Sequence, residues 1–172
     1  MNPSTVDNSM SKIATLTEMF EFNRVRTLGL LDTVADCGDP AAALAWRPGA
    51  ERAHIAWQFM HIGITEEIFA TERLGDPERP RAFEELWPRF RGGSVPDDNV
   101  PSIDEIRSVL QASRTHWLET LSTYRDEQLD EIPARWTERG LSLLQILHIV
   151  SWHEGHHQGQ AHITFNMYQA SR

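Results

Sequence analysis

Apolar side chains recur along most of this chain at alternating spacings of three and four residues, the pattern of helices that bury one face. The third segment with this pattern begins at Ser102-Ile-Asp-Glu105, whose serine and glutamate can cap each other's backbone amides at a helix start. No segment alternates apolar and polar residues with the period of two that half-buried strands show. The sequence therefore predicts an all-α protein with four long helices, at about residues 11–35, 51–74, 102–124 and 140–168.

The connection between the second and third predicted helices, residues 75–101, is long and holds five of the nine prolines. A connection of this length exceeds an ordinary helix–helix turn and can cross the bundle, so that the helices it joins lie parallel. We predict a single domain over residues 1–172, a four-helix bundle with one long crossover. Four large residues of the crossover are expected to pack on the bundle, in part as a short helix: Phe83, Leu86, Trp87 and Phe90. The residues expected in the bundle core include Phe20, Trp57, Leu110, Trp117 and Val150.

Composition is that of an ordinary globular protein, with 172 residues of which 40% are hydrophobic and 24% are charged. No apolar run reaches the ~18–20 residues that a membrane-spanning helix needs. Residues 1–7 lack the basic and apolar stretches of a signal peptide. Cys37 is the only cysteine, which excludes an internal disulfide and a cysteine-rich zinc site. We therefore expect a cytoplasmic protein with no membrane partner.

Charge and motif content narrow the classes of function. The formal net charge of −9 repels phosphate backbones, so no nucleic-acid partner is expected. The sequence has no glycine-rich phosphate loop and no Gly-x-Ser-x-Gly turn, so nucleotide-dependent and serine-hydrolase chemistry have no support. Six tryptophans are more than the core of such a bundle needs, and some are expected at an interface between two copies of the chain.

The strongest chemical signal is a group of three histidines within five residues of the fourth predicted helix. His153 and His157 are four residues apart, which on a helix places them one turn and about 40° apart. Two imidazoles at this spacing can chelate one transition metal ion. His61 lies near the middle of the second predicted helix and can close the site if the two helices are neighbours. Three nitrogen ligands leave one position for water or substrate, as in reactive metal sites.

A simpler interpretation is that these histidines are hydrogen-bonded core residues, which is the more frequent role of a lone buried histidine. Burying a pair without a shared partner costs several kcal/mol, a cost that a metal offsets. The other histidines are less suited as ligands. His54, near the start of the second helix, is expected at the rim of the site, and His116 and His148 are expected at the surface or in support of the ligands.

Two polar residues interrupt apolar stripes and indicate a pocket beside the metal. Asn23 and Gln160 lie on the core-facing stripes of the first and fourth helices, where a polar side chain needs a partner. We therefore expect the open position of the metal to face a pocket bordered by Asn23, Trp57 and Gln160.

Three motifs in order along the chain carry a resemblance to a known family. They are Glu21-Phe-Asn-Arg24, His61-Ile-Gly-Ile-Thr-Glu-Glu67 and His153-Glu-Gly-His-His157-Gln-Gly-Gln160. Over nearly the whole chain the sequence resembles the DinB/YfiT-like metalloenzymes. The resemblance implies an up-down-down-up bundle, a divalent metal held by His61, His153 and His157, and frequent homodimers. Many relatives carry arginine directly after the last ligand, where this chain has Gln158, so an interface that depends on that arginine is not implied here.

The resemblance also implies a type of chemistry, because characterised relatives are thiol-dependent transferases that use bacillithiol or mycothiol, and maleylpyruvate isomerase. A free thiol has a pKa of about 8.5, and metal coordination deprotonates it at neutral pH. We therefore expect a metal-dependent S-transferase that joins a low-molecular-weight thiol to a small electrophile. Imidazole ligands suit several transition metals, of which zinc and nickel are the leading candidates. No catalytic side chain is assigned.

Two other functions remain open. A metal-dependent hydrolase would activate water at the same position and would need a carboxylate base. Glu154 is turned about 100° from His153, and Glu66 and Glu67 lie off the stripe of His61, which weakens this alternative. The third interpretation is a metal-binding stress protein without catalytic turnover.

Overall fold

Helices account for every regular element of the structure, a computed structural model that describes residues 11–50 and 52–172. Within these ranges there is no strand, and the all-α prediction is confirmed. None of the helices described is sufficiently long and apolar to span a bilayer. The helices are α1 (Lys12–Ala35), α2 (Pro40–Ala45), α3 (Ile55–Ile68), α4 (Trp87–Phe90), α5 (Ile103–Ser122) and α6 (Leu143–Ala170), and α3 continues as a π-helical turn over Phe69–Arg73. Shorter 3-10 turns cover Glu84–Leu86, Asp126–Gln128 and Ala134–Arg139.

Two predictions fall outside the described residues. One is the absence of a signal peptide in residues 1–7, and the other is the start of the second helix at Glu51. Residues 52–54 are not helical, so that helix begins at Ile55, later than predicted, with His54 as its N-terminal capping residue.

The four long helices α1, α3, α5 and α6 run up, down, down and up. Residues of α1 contact residues of α6 in the same order along both helices, so these two helices are parallel, and the same holds for α3 and α5. Residues of α3 and α6 contact each other in opposite order, so these two helices are antiparallel. The pairs that show this are Asn23 with Ser151, Thr27 with Glu154, Glu66 with Ser113, Ala70 with Thr120, Gln58 with His157 and His61 with His153. The predicted topology is therefore confirmed, with α3 and α5 parallel and joined by the long crossover.

Capping side chains set where the helices begin. At the start of α5, the Ser102 hydroxyl accepts from the Glu105 amide at 3.3 Å, and the Glu105 carboxylate accepts from the Ser102 amide at 2.8 Å. Ser142 and Gln145 make the same reciprocal pair, so α6 begins at residue 143, later than the apolar period suggests. The short helix α2 was not predicted, because six residues are too few to show a period, although Asp39 caps its start.

Two apolar clusters fill the ends of the bundle, and a polar layer lies between them. The five residues predicted for the core are all buried. One cluster is centred on Ile62, Leu110 and Phe165, and the other on Phe20, Trp117 and Ile146. The charged side chains that separate the clusters are Arg24, Glu66, Arg114 and Glu154, one from each long helix.

Helices α3 and α5 approach each other closely at Gly63. A Cβ atom at this position would lie 2.7 Å from Cγ1 of Val109, which is closer than carbon atoms pack. Even a methyl group would therefore force the Val109 side chain or the two helices to shift. The glycine sets the position of α3, and with it the position of His61 two residues earlier.

The crossover packs against α3, as expected from its large apolar residues. Trp87 and Phe90 are buried. The indole nitrogen of Trp57 donates to the backbone carbonyl of Arg89 at 3.2 Å, and the backbone amide of Ala82 donates to Glu67 at 2.8 Å. These contacts bring the backbone around Phe90 to the side of α3 that carries His61.

Candidate metal centre

The structure brings His61 of α3 together with His153 and His157 of α6. One ring nitrogen from each of the three residues can be chosen so that all lie within 4.8 Å of one another. The Nε2 atoms of His61 and His153 are 3.0 Å apart. Ligand nitrogens of a tetrahedral ion with bonds of about 2.1 Å lie about 3.4 Å apart. A small adjustment of the rings is therefore enough for all three to share an ion.

Oxygen acceptors hold two of the three rings in the orientation that a ligand needs. Nδ1 of His61 donates to the backbone carbonyl of Phe90 at 2.6 Å, and Nδ1 of His157 donates to the side-chain carbonyl of Gln58 at 2.6 Å. Because Nδ1 carries the proton in both rings, the lone pair of each lies on Nε2. Metal-binding histidines are oriented in this way by partners on the other ring nitrogen. The donor set therefore fits a divalent transition metal.

Burial keeps the three imidazoles neutral. Burial, followed by the nearby charges of His61 and His156, lowers the pKa of His153 to about 3. Burial and the neighbouring imidazoles lower the pKa of His157 to about 3, and burial lowers the pKa of His61 despite the Phe90 carbonyl. Neutral imidazole is the form that binds a metal, so near pH 7 no ligand needs to lose a proton first.

Trp57 and Gln160 line one cavity of about 440 Å³ between α3, α6 and the crossover. Trp57 also stacks on the ring of His61, with 4.5 Å between the centroids. Asn23 is not part of this cavity, because its side-chain amide donates to the hydroxyl of Ser151 on α6 at 3.1 Å. Two of the three residues expected around a pocket thus lie together, and Gln58 lies between their cavity and the ligand nitrogens.

A second cavity, of about 310 Å³, is lined by His61 and His153 themselves. Its other walls include Phe69 at the end of α3 and Trp136 in the turn before α6. This cavity could not be predicted from the sequence, because its walls come from segments that are distant along the chain. This cavity reaches two of the three candidate metal ligands directly.

The remaining histidines lie outside the cluster. The rim position expected for His54 is wrong, since the side chain is fully buried and its Nδ1 accepts from the Trp57 amide at 3.0 Å. Burial, followed by the charge of Arg47, lowers the pKa of His54 to about 4. His116 donates to Glu67 at 2.9 Å, and His148 is exposed.

A buried ionic layer lies beside the histidines and was not predicted. Arg24 donates to Glu66 and to Glu154 at 2.8 Å, and Arg114 contacts both carboxylates at 2.5–2.7 Å. Burial alone would raise the pKa of Glu154, yet Arg24 and Arg114 hold it below its usual value. Glu154 is thus ionised, and the carboxylates of Glu66 and Glu154 are both engaged with arginines. Within the described residues, the group that can share an ion contains the three histidines and no carboxylate.

The sequence pattern of the DinB superfamily matches this chain over residues 19–161 of the 172. The match spans all three histidines of the cluster, the buried ionic layer and the crossover. No curated protein sequence matches the chain.

Proposed function

The chain belongs to the DinB superfamily, and from that membership we propose that it is a metal-dependent enzyme that transfers a low-molecular-weight thiol to a small electrophile. The proposed ligands are His61, His153 and His157. The observation that carries the proposal is the convergence of three neutral imidazoles at the end of a cavity that two of them line. In the reaction, sulfur bonds to the electrophilic carbon as a leaving group departs, and the thiol proton passes to solvent.

The protein's own residues prepare the site for this chemistry. A divalent metal such as zinc or nickel, when bound, would lower the pKa of a thiol so that the thiolate forms at neutral pH. The Phe90 carbonyl and Gln58 keep Nδ1 of His61 and His157 protonated, so both rings present Nε2. Trp57 covers one face of His61 and excludes water from that side. The cavity lined by His61 and His153 gives a small molecule access to the same position.

The surroundings favour a thiol as nucleophile over water. A hydrolase of this type needs a free carboxylate base near the metal, whereas Glu66 and Glu154 are held by Arg24 and Arg114. A thiolate needs no such base once its proton has left. Cys37, beyond the end of α1, is outside the cluster. The thiol is therefore proposed to come from a cosubstrate.

Metal analysis and a thiol panel test this proposal. Protein without a histidine tag should contain or take up close to one zinc or nickel ion per chain. His61→Ala, His153→Ala and His157→Ala should each lower the zinc affinity at least about 100-fold, while the exposed control His148→Ala should not. The loaded protein is then assayed with several low-molecular-weight thiols and a chromogenic aryl chloride. Metal uptake without turnover by any thiol would favour the non-catalytic alternative, and zinc affinity unchanged in His61→Ala would refute the site.

We also propose that two copies of the chain associate through the outer face of α6. Ile149, Trp152, Ile163 and Met167 are exposed and fall on one side of this helix. Trp152 is the one tryptophan among the described residues that is exposed. Sedimentation should give the mass of two chains for the wild type and of one chain for Trp152→Glu. A wild-type monomer at micromolar concentration would contradict this proposal.

A further inference from the structure

Three arginines line the cavity that His61 and His153 also line. Arg73 comes from the π-helical turn after α3, Arg91 from the loop after α4, and Arg139 from the 3-10 turn before α6. All three side chains are exposed and can reach a molecule in the cavity.

Within the described residues, none of these arginines makes a salt bridge with a carboxylate. Glu72, the acidic residue that also lines the cavity, instead pairs with Arg81 at 3.3 Å. The chain carries a net charge of −9, so a local excess of positive charge is not a property of its whole surface. In the part of the chain that the structure describes, the arginines that make no salt bridge are Arg26, Arg52, Arg73, Arg91, Arg125, Arg135, Arg139 and Arg172. Three of these eight line this one cavity.

An aromatic wall holds part of this group in place. The guanidinium of Arg139 lies 5.4 Å from the ring centre of Trp136, whose indole stacks on Phe69 at 5.7 Å. The indole nitrogen of Trp136 donates to the backbone carbonyl of Arg73 at 3.3 Å. Arg91 directly follows Phe90, whose carbonyl orients His61. The arginine positions are thus tied to the elements that build the histidine cluster.

We propose that this cavity binds a small organic anion, with its carboxylate or phosphate at the arginines and its remainder directed toward His61 and His153. Guanidinium groups recognise both kinds of oxyanion through paired, charge-assisted hydrogen bonds. A volume of about 310 Å³ is at the lower end of ligand pockets, which suits a small molecule. That this anion is a substrate or cosubstrate rests on the proposed thiol transfer, whereas its binding does not.

Binding is tested on full-length protein freed of metal by a chelating resin, so that the probe cannot coordinate an ion. Benzoate and phenyl phosphate serve as carboxylate and phosphate probes, and benzamide is the uncharged match. Calorimetry should show at least one anion bound about tenfold more tightly than benzamide, and the stronger of the two identifies the oxyanion preferred. The anion should also shift the indole NMR signal of Trp136.

Substitution of the arginines tests the location. Arg91→Gln and Arg139→Gln should each raise the Kd of the anion about five- to tenfold, while Arg125→Gln, an equal change of charge outside the cavity, should leave it within about twofold. Equal affinities in all three variants, or benzamide bound as tightly as the anions, would overturn the proposal. Anion binding that depends on Arg91 and Arg139 in a protein that binds neither zinc nor nickel would refute the proposed function and leave the anion site standing. If the histidines bound zinc but anion binding did not depend on Arg91 and Arg139, the anion site would be refuted and the metal site would stand.

Discussion

The buried ionic layer should be a main contributor to stability, and replacing Arg24 with methionine tests this. Arg24 donates to Glu66, to Glu154 and to the backbone carbonyl of Leu110, and so joins α1 to the other three long helices. Its side chain is 6% exposed, so water cannot replace these partners. The variant would leave two buried carboxylates to share Arg114 alone.

The expected loss of unfolding free energy is about 3–5 kcal/mol, the usual cost of breaking a buried ion pair by removing one partner. Hydrogen bonds to charged groups contribute about 1.5–3 kcal/mol each, so three of them set an upper bound near 9 kcal/mol. Methionine lowers this cost, because it fills part of the space and needs no partner. Adding Glu154→Gln should recover about 1–3 kcal/mol, since it removes the unbalanced charge.

Urea unfolding followed by circular dichroism measures these differences, provided that the m-value is unchanged. Arg107→Met is the matched control, because Arg107 also links α5 to α1 through a 2.6 Å contact with Asp32. Both partners there are at least one-third exposed, and such pairs contribute about 0–1 kcal/mol. If Arg24→Met and Arg107→Met had equal costs below about 1 kcal/mol, the layer would not join the helices as argued.

Three further substitutions test other parts of the structure. Between pH 6.5 and pH 4, His54 is protonated in the unfolded chain but not in the folded protein, so protonation favours unfolding. As the pH falls through this range, the wild type should therefore lose up to about 1.4 kcal/mol of unfolding free energy per pH unit relative to His54→Asn, as measured in urea. Parallel pH profiles of the two proteins would contradict this. Gly63→Ala should cost about 1–3 kcal/mol by thermal unfolding, whereas Gly29→Ala, with open space around it, should be neutral or stabilising. Gln58→Leu should weaken zinc binding about 10–100-fold in competition titrations, and Gln160→Leu should not.

The long helices were predictable because each buries one face over many turns. That periodicity, with the long proline-rich connection of residues 75–101, indicated four helices with a crossover between the second and the third, and the family resemblance implied their up-down-down-up order. Helix ends depend on single hydrogen bonds, such as the cap that Ser142 makes with Gln145, which the periodicity does not reveal. The short helix α2 depends on its Asp39 cap and packing for the same reason.

The convergence of the histidines was predictable, but their surroundings were not. His153 and His157 share a helix face by spacing alone, and His61 lies at the matching depth of an antiparallel neighbour. The acceptor for His61 is a backbone carbonyl, that of Phe90, and the sequence does not show where a carbonyl of the crossover will lie. The arginine-lined cavity likewise combines three distant segments.

The ionic layer was missed because its charged residues interrupt core stripes, where charged side chains are rarely expected. Arg114 fills the gap between Leu110 and Trp117 on α5, and Glu154 lies between the apolar parts of α6. When two facing helices each have a charged residue in such a gap, and the two charges are opposite, a buried ion pair can be predicted. This signal was present in the sequence.

Glu154 and His153 are adjacent in sequence, but their side chains face different parts of the bundle. One step along α6 turns the carboxylate by about 100°, so it faces Arg24 and Arg114 while the imidazole faces α3. The arginines neutralise the carboxylates and keep them away from the histidine cluster. On the proposed function, a bound ion would be held by three neutral ligands and would keep its full positive charge. That charge would favour an anionic fourth ligand such as a thiolate, and the arginines that line the cavity would attract an anionic substrate to the same place.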